Sequence, residues 1–116
     1  MEIGTDIEVV NRFREKPYND RNKMFYESIF TDQEIDYCLS KKDSYPHFAA
    51  RFAAKEAVAK AIGISIYEAK NIEIVSGVNG QPSVKLKIKK LKLKTKLLIS
   101  LAHTKDYAIA TALWLN

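Results

Sequence analysis

The stretch from Tyr45 to Gly63, "YPHFAARFAAKEAVAKAIG", constrains the fold more than any other part of the chain. At about 100° per residue, Ala50, Ala53, Ala54, Ala57 and Ala61 form one broad arc. Phe48, Phe52 and Ala59 cluster nearly opposite. A helix that is apolar nearly all round is a buried helix, so the remaining elements have to pack around this one. Yet it carries two pairs of charges, Arg51 with Lys55 on one flank and Glu56 with Lys60 on the other. Charge on a buried flank needs a partner, and each pair raises the question of which.

The surrounding elements follow from local pattern. "EIGTDIEVV" alternates apolar with polar in its middle and predicts a strand from about Glu2 to Glu8. "VNRFREK" opens a short helix before Pro17, and "NDRNKMFYESIF" places Met24, Phe25, Tyr26 and Ile29 at helical spacing. Thr31 begins "TDQE", a capping box for a helix running from Asp32 to about Ser40. Ser44 is positioned to cap the following helix, with Pro46 tolerated in its first turn and Gly63 as its stop. Beyond Gly63 the period changes to two. "NIEIV" and "SVKLKIK" read as a hairpin about "GVNGQP", and "LLISLAH" and "YAIATALWL" as two more strands joined by "TKD". No internal repeat, linker or low-complexity segment interrupts residues 1–116, so the expectation is one α+β domain with an antiparallel sheet.

A chain of 116 residues, 47% of them hydrophobic, can bury a core but is short for a deep cleft, which points to sites shared between subunits. The net charge of +5 fits an acidic or phosphorylated partner. Cys38 is the single cysteine, so no internal disulfide forms. The N-terminal "MEIGTDIEVV" has no basic leader, and the charge-free "YAIATALWLN" is too short to span a bilayer. A cytoplasmic protein without membrane contact is expected.

"KLKIKKLKLKTK", Lys85 to Lys96, is the most basic stretch. Leu86 and Ile88 alternate with Lys85, Lys87 and Lys89; the Lys89–Lys90 doublet resets the phase, and Leu91 and Leu93 then alternate with Lys92 and Lys94. That is a half-buried sheet with a solvated lysine face. It has neither aromatics for base stacking nor arginine for guanine, so nucleic acid is not the expected partner.

Asp6 and Glu8 lie two apart on the first strand and share a face. If the buried helix crosses that strand, Glu56 joins them as a third carboxylate, with Lys60 one turn away. Mg²⁺ binds few carboxylates and completes its shell with water and phosphate oxygens, so these are parts for chemistry at a diphosphate or phosphodiester. Arg51 and Lys55, like charges at i, i+4, repel unless an anion lies near them. His103 ends a strand beside a turn, and His47 has no comparable context and receives no role.

Three motifs, "GTDIE" (Gly4–Glu8), "RFAAKEAVAKAIG" (Arg51–Gly63) and "SLAHTKDYA" (Ser100–Ala108), together resemble the 4′-phosphopantetheinyl transferases of the short holo-[acyl carrier protein] synthase type. "FTDQEIDYC" and "NGQP" extend the likeness over nearly the whole chain. The resemblance implies that family's fold, with an antiparallel sheet packed against a long central helix, in a trimer with active sites between subunits. It implies Mg²⁺-dependent transfer of 4′-phosphopantetheine from coenzyme A to a serine of an acyl carrier protein, releasing adenosine 3′,5′-bisphosphate. Asp6 and Glu56 match the metal ligands, and Lys60 the lysine at the diphosphate. Arg51, Lys55, His103 and Thr104 match positions lining the coenzyme A site, and Arg12 a basic position that binds the carrier protein. Glu8 follows the pattern of the double-length members, where this carboxylate also binds metal. Ala102 stands where a small hydroxyl residue is common. From the residues alone, a Mg²⁺ nuclease built on Asp6, Glu56 and Lys60, or a non-catalytic basic binding module, competes with this reading.

Overall fold

The structure is a computed structural model and describes residues 1–87 and 96–115. Strand β1, Glu2–Val9, leads into a one-turn helix α1, Asn11–Arg14. Helices α2 (Lys23–Ile29) and α3 (Asp32–Leu39) precede the 18-residue α4, Tyr45–Ile62. A 3₁₀ segment, Ile66–Asn71, then enters β2 (Ile72–Ser76) and β3 (Pro82–Leu86). The chain closes with β4 (Lys96–His103) and β5 (Tyr107–Leu115).

Among the described residues the strands form two antiparallel sheets, β1-β5-β4 and the hairpin β2-β3, where the sequence pattern predicts one. β1 crosses from the N-terminal half to pair with β5, with Gly4 opposite Ala112, Asp6 opposite Ala110 and Glu8 opposite Ala108. The small residues of this face meet the small arc of α4. Ala108, Ala110 and Ala112 are all buried, and α4 packs most extensively against β1 and β5. Side chains of this size let backbones approach closely. A Cβ on Gly4 would collide with the Ala57 carbonyl and lie 2.9 Å from the Ala61 nitrogen.

The opposite arc of α4 belongs to an aromatic core. Phe48 and Phe52 pack with Phe13, Tyr26 and Phe30, and the Tyr26 hydroxyl donates to the Lys16 carbonyl at 2.8 Å. Met24, expected at a core spacing, is 83% exposed, because α2 turns Tyr26 inward instead. The capping box of α3 is present: the Glu34 N–H donates to Thr31 Oγ1 at 3.3 Å, and the Thr31 N–H to Glu34 Oε1 at 2.8 Å. Ser44 makes no capping bond and has helical dihedrals; Asp43 Oδ1 accepts from the Tyr45 N–H at 3.4 Å. Gly63 ends α4 with φ 75°, as the left-handed stop requires. The 3₁₀ segment has no counterpart in the sequence reading.

On β3, Val84 and Leu86 are half-buried while Lys85 and Lys87 are exposed, in keeping with the alternation. The rest of the predicted lysine-rich strand pattern, from Ile88 through Lys94, lies outside the described residues. No helix among the described residues is long and apolar enough to cross a membrane.

Gly4→Ala should destabilise the fold by about 3 kcal/mol, because backbone has to move to admit the methyl group. An unchanged midpoint of urea unfolding would show that β1 does not depend on this close approach.

Candidate active site

Alternation along β1 turns Asp6 and Glu8 toward α4, where Glu56 and Lys60 sit on one flank. Lys60 Nζ donates to Asp6 Oδ1 and to the Thr5 carbonyl, each at 3.0 Å. The partner of Lys60 is therefore across on the strand rather than the i−4 residue Glu56. Asp6 Oδ2 is buried with no hydrogen-bond partner. Glu8 lies beside it, with Arg12 Nη1 at 3.4 Å from Glu8 Oε2 and the Arg12 guanidinium over the Phe52 ring. Burial first, then the closeness and negative charge of Asp6, raises the Glu8 pKa to about 7. Burial and the charge of Asp6 also raise Glu56, with Lys60 and Arg12 opposing. Three carboxylates thus face two cations and remain short of positive charge.

Among the described residues no three His, Cys, Asp or Glu side chains close into a ready-made metal cage. A small hard cation does not require one, because Mg²⁺ retains waters and takes one or two carboxylates with phosphate oxygens. The unpartnered Asp6 oxygen and the crowded, half-buried Glu8 carboxyl are what such an ion would satisfy.

The other flank divides. Arg51 is buried, stacked 3.8 Å from the Tyr37 ring centroid, and donates to Ser76 Oγ at 2.7 Å. It lines a cavity of about 170 Å³ shared with His47 and His103. Lys55 is fully buried and points elsewhere: its Nζ meets Glu34 Oε1 at 2.7 Å and the carbonyls of Ala69 and Ile72 at 2.8 and 2.6 Å. This corrects the expectation that Lys55 lines a coenzyme A site. Its acid is internal, and an ammonium with three buried acceptors has no bond left for a ligand. Thr104 also works locally, its Oγ1 accepting from the Asp106 and Tyr107 N–H groups at 3.2 and 3.1 Å to close the β4–β5 turn.

A profile described as the 4′-phosphopantetheinyl transferase superfamily matches residues 2–112. The chain belongs to that superfamily. A holo-[acyl-carrier-protein] synthase of Chlamydia caviae is 43% identical over 118 residues, covering 97% of this chain and 95% of its own. That of Thermodesulfovibrio yellowstonii is 39% identical over 112 residues, covering 93% and 92%. Among solved structures, the Bacillus anthracis holo-(acyl-carrier-protein) synthase in complex with CoA (3′,5′-ADP) superposes with a TM-score of 0.79 at 28% identity, covering 97% of this chain and 94% of its own. The Helicobacter pylori synthase in complex with coenzyme A gives 0.78 at 28% identity, covering 97% and 99%.

Within this superfamily member, then, Asp6, Glu8, Glu56, Lys60 and Arg12 gather at one place, while Arg51 and His103 gather at another. Tyr37, His47 and Ser76 complete the second group and were not singled out from sequence. The signal for His47 was its i, i+4 spacing to Arg51; Tyr37 and Ser76 come from distant elements and left none.

Because Glu8 titrates higher folded than unfolded, its ionisation costs stability as pH rises from about 4.3 toward 7. Glu8→Gln should be more stable than wild type at pH 8 by on the order of 1–2 kcal/mol and show no gain at pH 4. Denaturant unfolding at the two pH values checks this, and equal effects at both would refute it. Lys55→Met should cost about 3–5 kcal/mol by stranding the Glu34 charge; a loss below 1 kcal/mol would show that the pair is not holding α3 to α4.

Proposed function

We propose that this chain is a holo-[acyl carrier protein] synthase. In this reading it is a Mg²⁺-dependent transferase that moves 4′-phosphopantetheine from coenzyme A to a serine of an apo acyl carrier protein, with residues 1–116 acting as one domain. The observation that carries the reading is the Asp6–Glu8–Glu56 carboxylate group with Lys60 at its edge, in a chain whose relatives bear that name. Asp6, Glu8 and Glu56 would hold the metal, which when bound supplies positive charge to the coenzyme A diphosphate. Lys60 is half-exposed and can transfer its ammonium from Asp6 to a phosphate oxygen. Glu56, or a water beside it, would accept the proton of the attacking serine. Arg12, exposed beside Glu8, presents charge to an acidic carrier protein.

Arg51 and His103 are the groups we assign to a second phosphate of coenzyme A, with Thr104 fixing the turn that carries His103. No described hydrogen bond, ion pair or ring contact links this pocket to the carboxylates. A ligand reaching both is completed by a second copy of the chain, which supports a trimer with shared sites. The outer face of β1 and β5 supports it further: Ile3, Ile7, Val9 and Ile109 are 70, 63, 50 and 45% exposed, with Ile7 opposite Ile109. The free thiol of Cys38 is compatible with the cytoplasm as the site of action. The nuclease and binding-module readings use the same residue types but have no support from the relatives.

Incubation with apo carrier protein, coenzyme A and Mg²⁺, read by intact mass, should add one phosphopantetheine to the carrier. Glu56→Gln should lower the rate by at least about a hundredfold with the melting temperature retained, and Arg12→Glu should raise the carrier-protein KM while sparing that for coenzyme A. Transfer at the wild-type rate by Glu56→Gln would remove Glu56 from the chemistry.

A further inference from the structure

The carboxylate group on β1 and the exposed arginine beyond it are joined by one contact. Arg12 Nη1 stands 3.4 Å from Glu8 Oε2, and the Arg12 charge acts on both Glu8 and Glu56. The backbone between the two residues is pinned. Val10, at the corner between β1 and α1, is buried, and its N–H donates to the Asp106 carbonyl at 2.9 Å. The Phe13 N–H donates to the Val10 carbonyl at 3.0 Å, and its buried ring meets Phe52 edge-on. With Val10 and Phe13 anchored, the part of this corner left free to move is the Arg12 side chain.

The hold of Arg12 on Glu8 is loose. The arginine side chain is 53% exposed and gives Glu8 a single bond, while its guanidinium rests 5.1 Å from the Phe52 ring centroid. Arg14, two residues on, grips Asp43 with both terminal nitrogens at 2.6 and 3.0 Å. A half-exposed, single-pronged ion pair exchanges partners readily. Glu8 cannot turn to water in the same way, because only 13% of its side chain is exposed. Taking Arg12 away leaves a covered carboxylate beside Asp6 and Glu56 without its paired cation, and a small divalent ion is the replacement such oxygens accept. The converse holds too: an ion on Glu8 frees Arg12 for a carboxylate on another molecule.

We propose that Arg12 is a shared counter-ion, held on Glu8 in the free chain and passed to a carboxylate of the acidic carrier protein, so that carrier docking and metal binding strengthen each other. This rests on the metal and carrier-protein reading above and adds a coupling between its two sites. Such a coupling is reciprocal: the factor by which metal tightens carrier binding is the factor by which the carrier tightens metal binding.

Mn²⁺, counted through the EPR signal of the free ion, reports metal affinity without turnover. Arg12→Gln should bind Mn²⁺ at least about fivefold more tightly than wild type, and the gain should fall below about twofold when Glu8 is already Gln. Arg14→Gln, which removes the same charge from the pair with Asp43, should leave the affinity unchanged. Equal gains with and without Glu8, or a gain matched by Arg14→Gln, would mean that net charge alone is at work and would overturn the proposal. The carrier protein supplies the reciprocal measurement by fluorescence anisotropy, with coenzyme A omitted so that no transfer occurs. Saturating Mn²⁺ should tighten binding of the apo carrier to wild type but not to Glu8→Gln; tightening that survives in Glu8→Gln would also overturn it. Asp6→Asn tests the underlying reading separately. If it leaves Mn²⁺ affinity unchanged, these carboxylates do not hold the metal, and the reading fails together with the proposal. If it weakens Mn²⁺ binding while Arg12→Gln changes nothing, the metal site stands and the coupling alone is overturned.

Discussion

The buried ion pair between Glu34 and Lys55 is the contact on which the arrangement of the other elements depends. Glu34 Oε1 accepts from Lys55 and from the Thr31 N–H that starts α3, and Oε2 accepts from the Ile74 N–H of β2 at 2.8 Å. Lys55 adds the carbonyls of Ala69 and Ile72. One carboxylate and one ammonium thus join α3, α4, the 3₁₀ segment and β2. Burying two charges is costly unless they are well partnered, and here all three ammonium protons and both carboxylate oxygens have partners. The pair is as much a device of geometry as of stability. With Lys55 held, α4 cannot rotate about its axis, and the directions in which Glu56, Lys60 and Arg51 leave the helix are set.

The second constraint is distance. Gly4 and three alanines of β5 let α4 lie close against the sheet. That closeness brings the β1 carboxylates within reach of Lys60 and also desolvates them. The raised pKa of Glu8 is thus a consequence of the same small-residue packing that stabilises the core. A bulkier interface would move Asp6 away from Lys60 and return Glu8 to water, removing both the contact and the electrostatic shortage.

Much of this was legible in sequence where the signal is local. The all-round apolar helix, its glycine stop, the Thr31–Glu34 capping box and the Gly80 turn depend on neighbours within four residues, and each is present. The carboxylate face of β1 was readable from period two, and its meeting with Glu56 followed from the helix being buried. Long-range partners were not readable. Glu34 was recognised as a cap, but nothing in "TDQE" says that its second oxygen and a lysine 21 residues later complete it. The Arg51–Lys55 pair was therefore given a shared external anion, although only Arg51 faces a cavity. Ser44 and Thr104 show the same limit, since a hydroxyl in the expected place is taken or passed over according to the turn that forms around it.

The separation of the two charged groups follows from α4 itself. Arg51 and Glu56 are five residues apart, which places them about 7.5 Å along the axis and on different sides of a helix about 10 Å across. Carboxylates and cations so divided cannot neutralise each other within the chain. Each group keeps an unsatisfied atom, an Asp6 oxygen on one side and the Arg51 Nε on the other. On the proposed reading, a ligand bearing phosphates at two points and taken between neighbouring copies would meet both needs without passing around the helix. On the proposed reading, the buried helix is therefore also the spacer that makes one chain insufficient, and the incompleteness of each half-site favours assembly whenever coenzyme A is present.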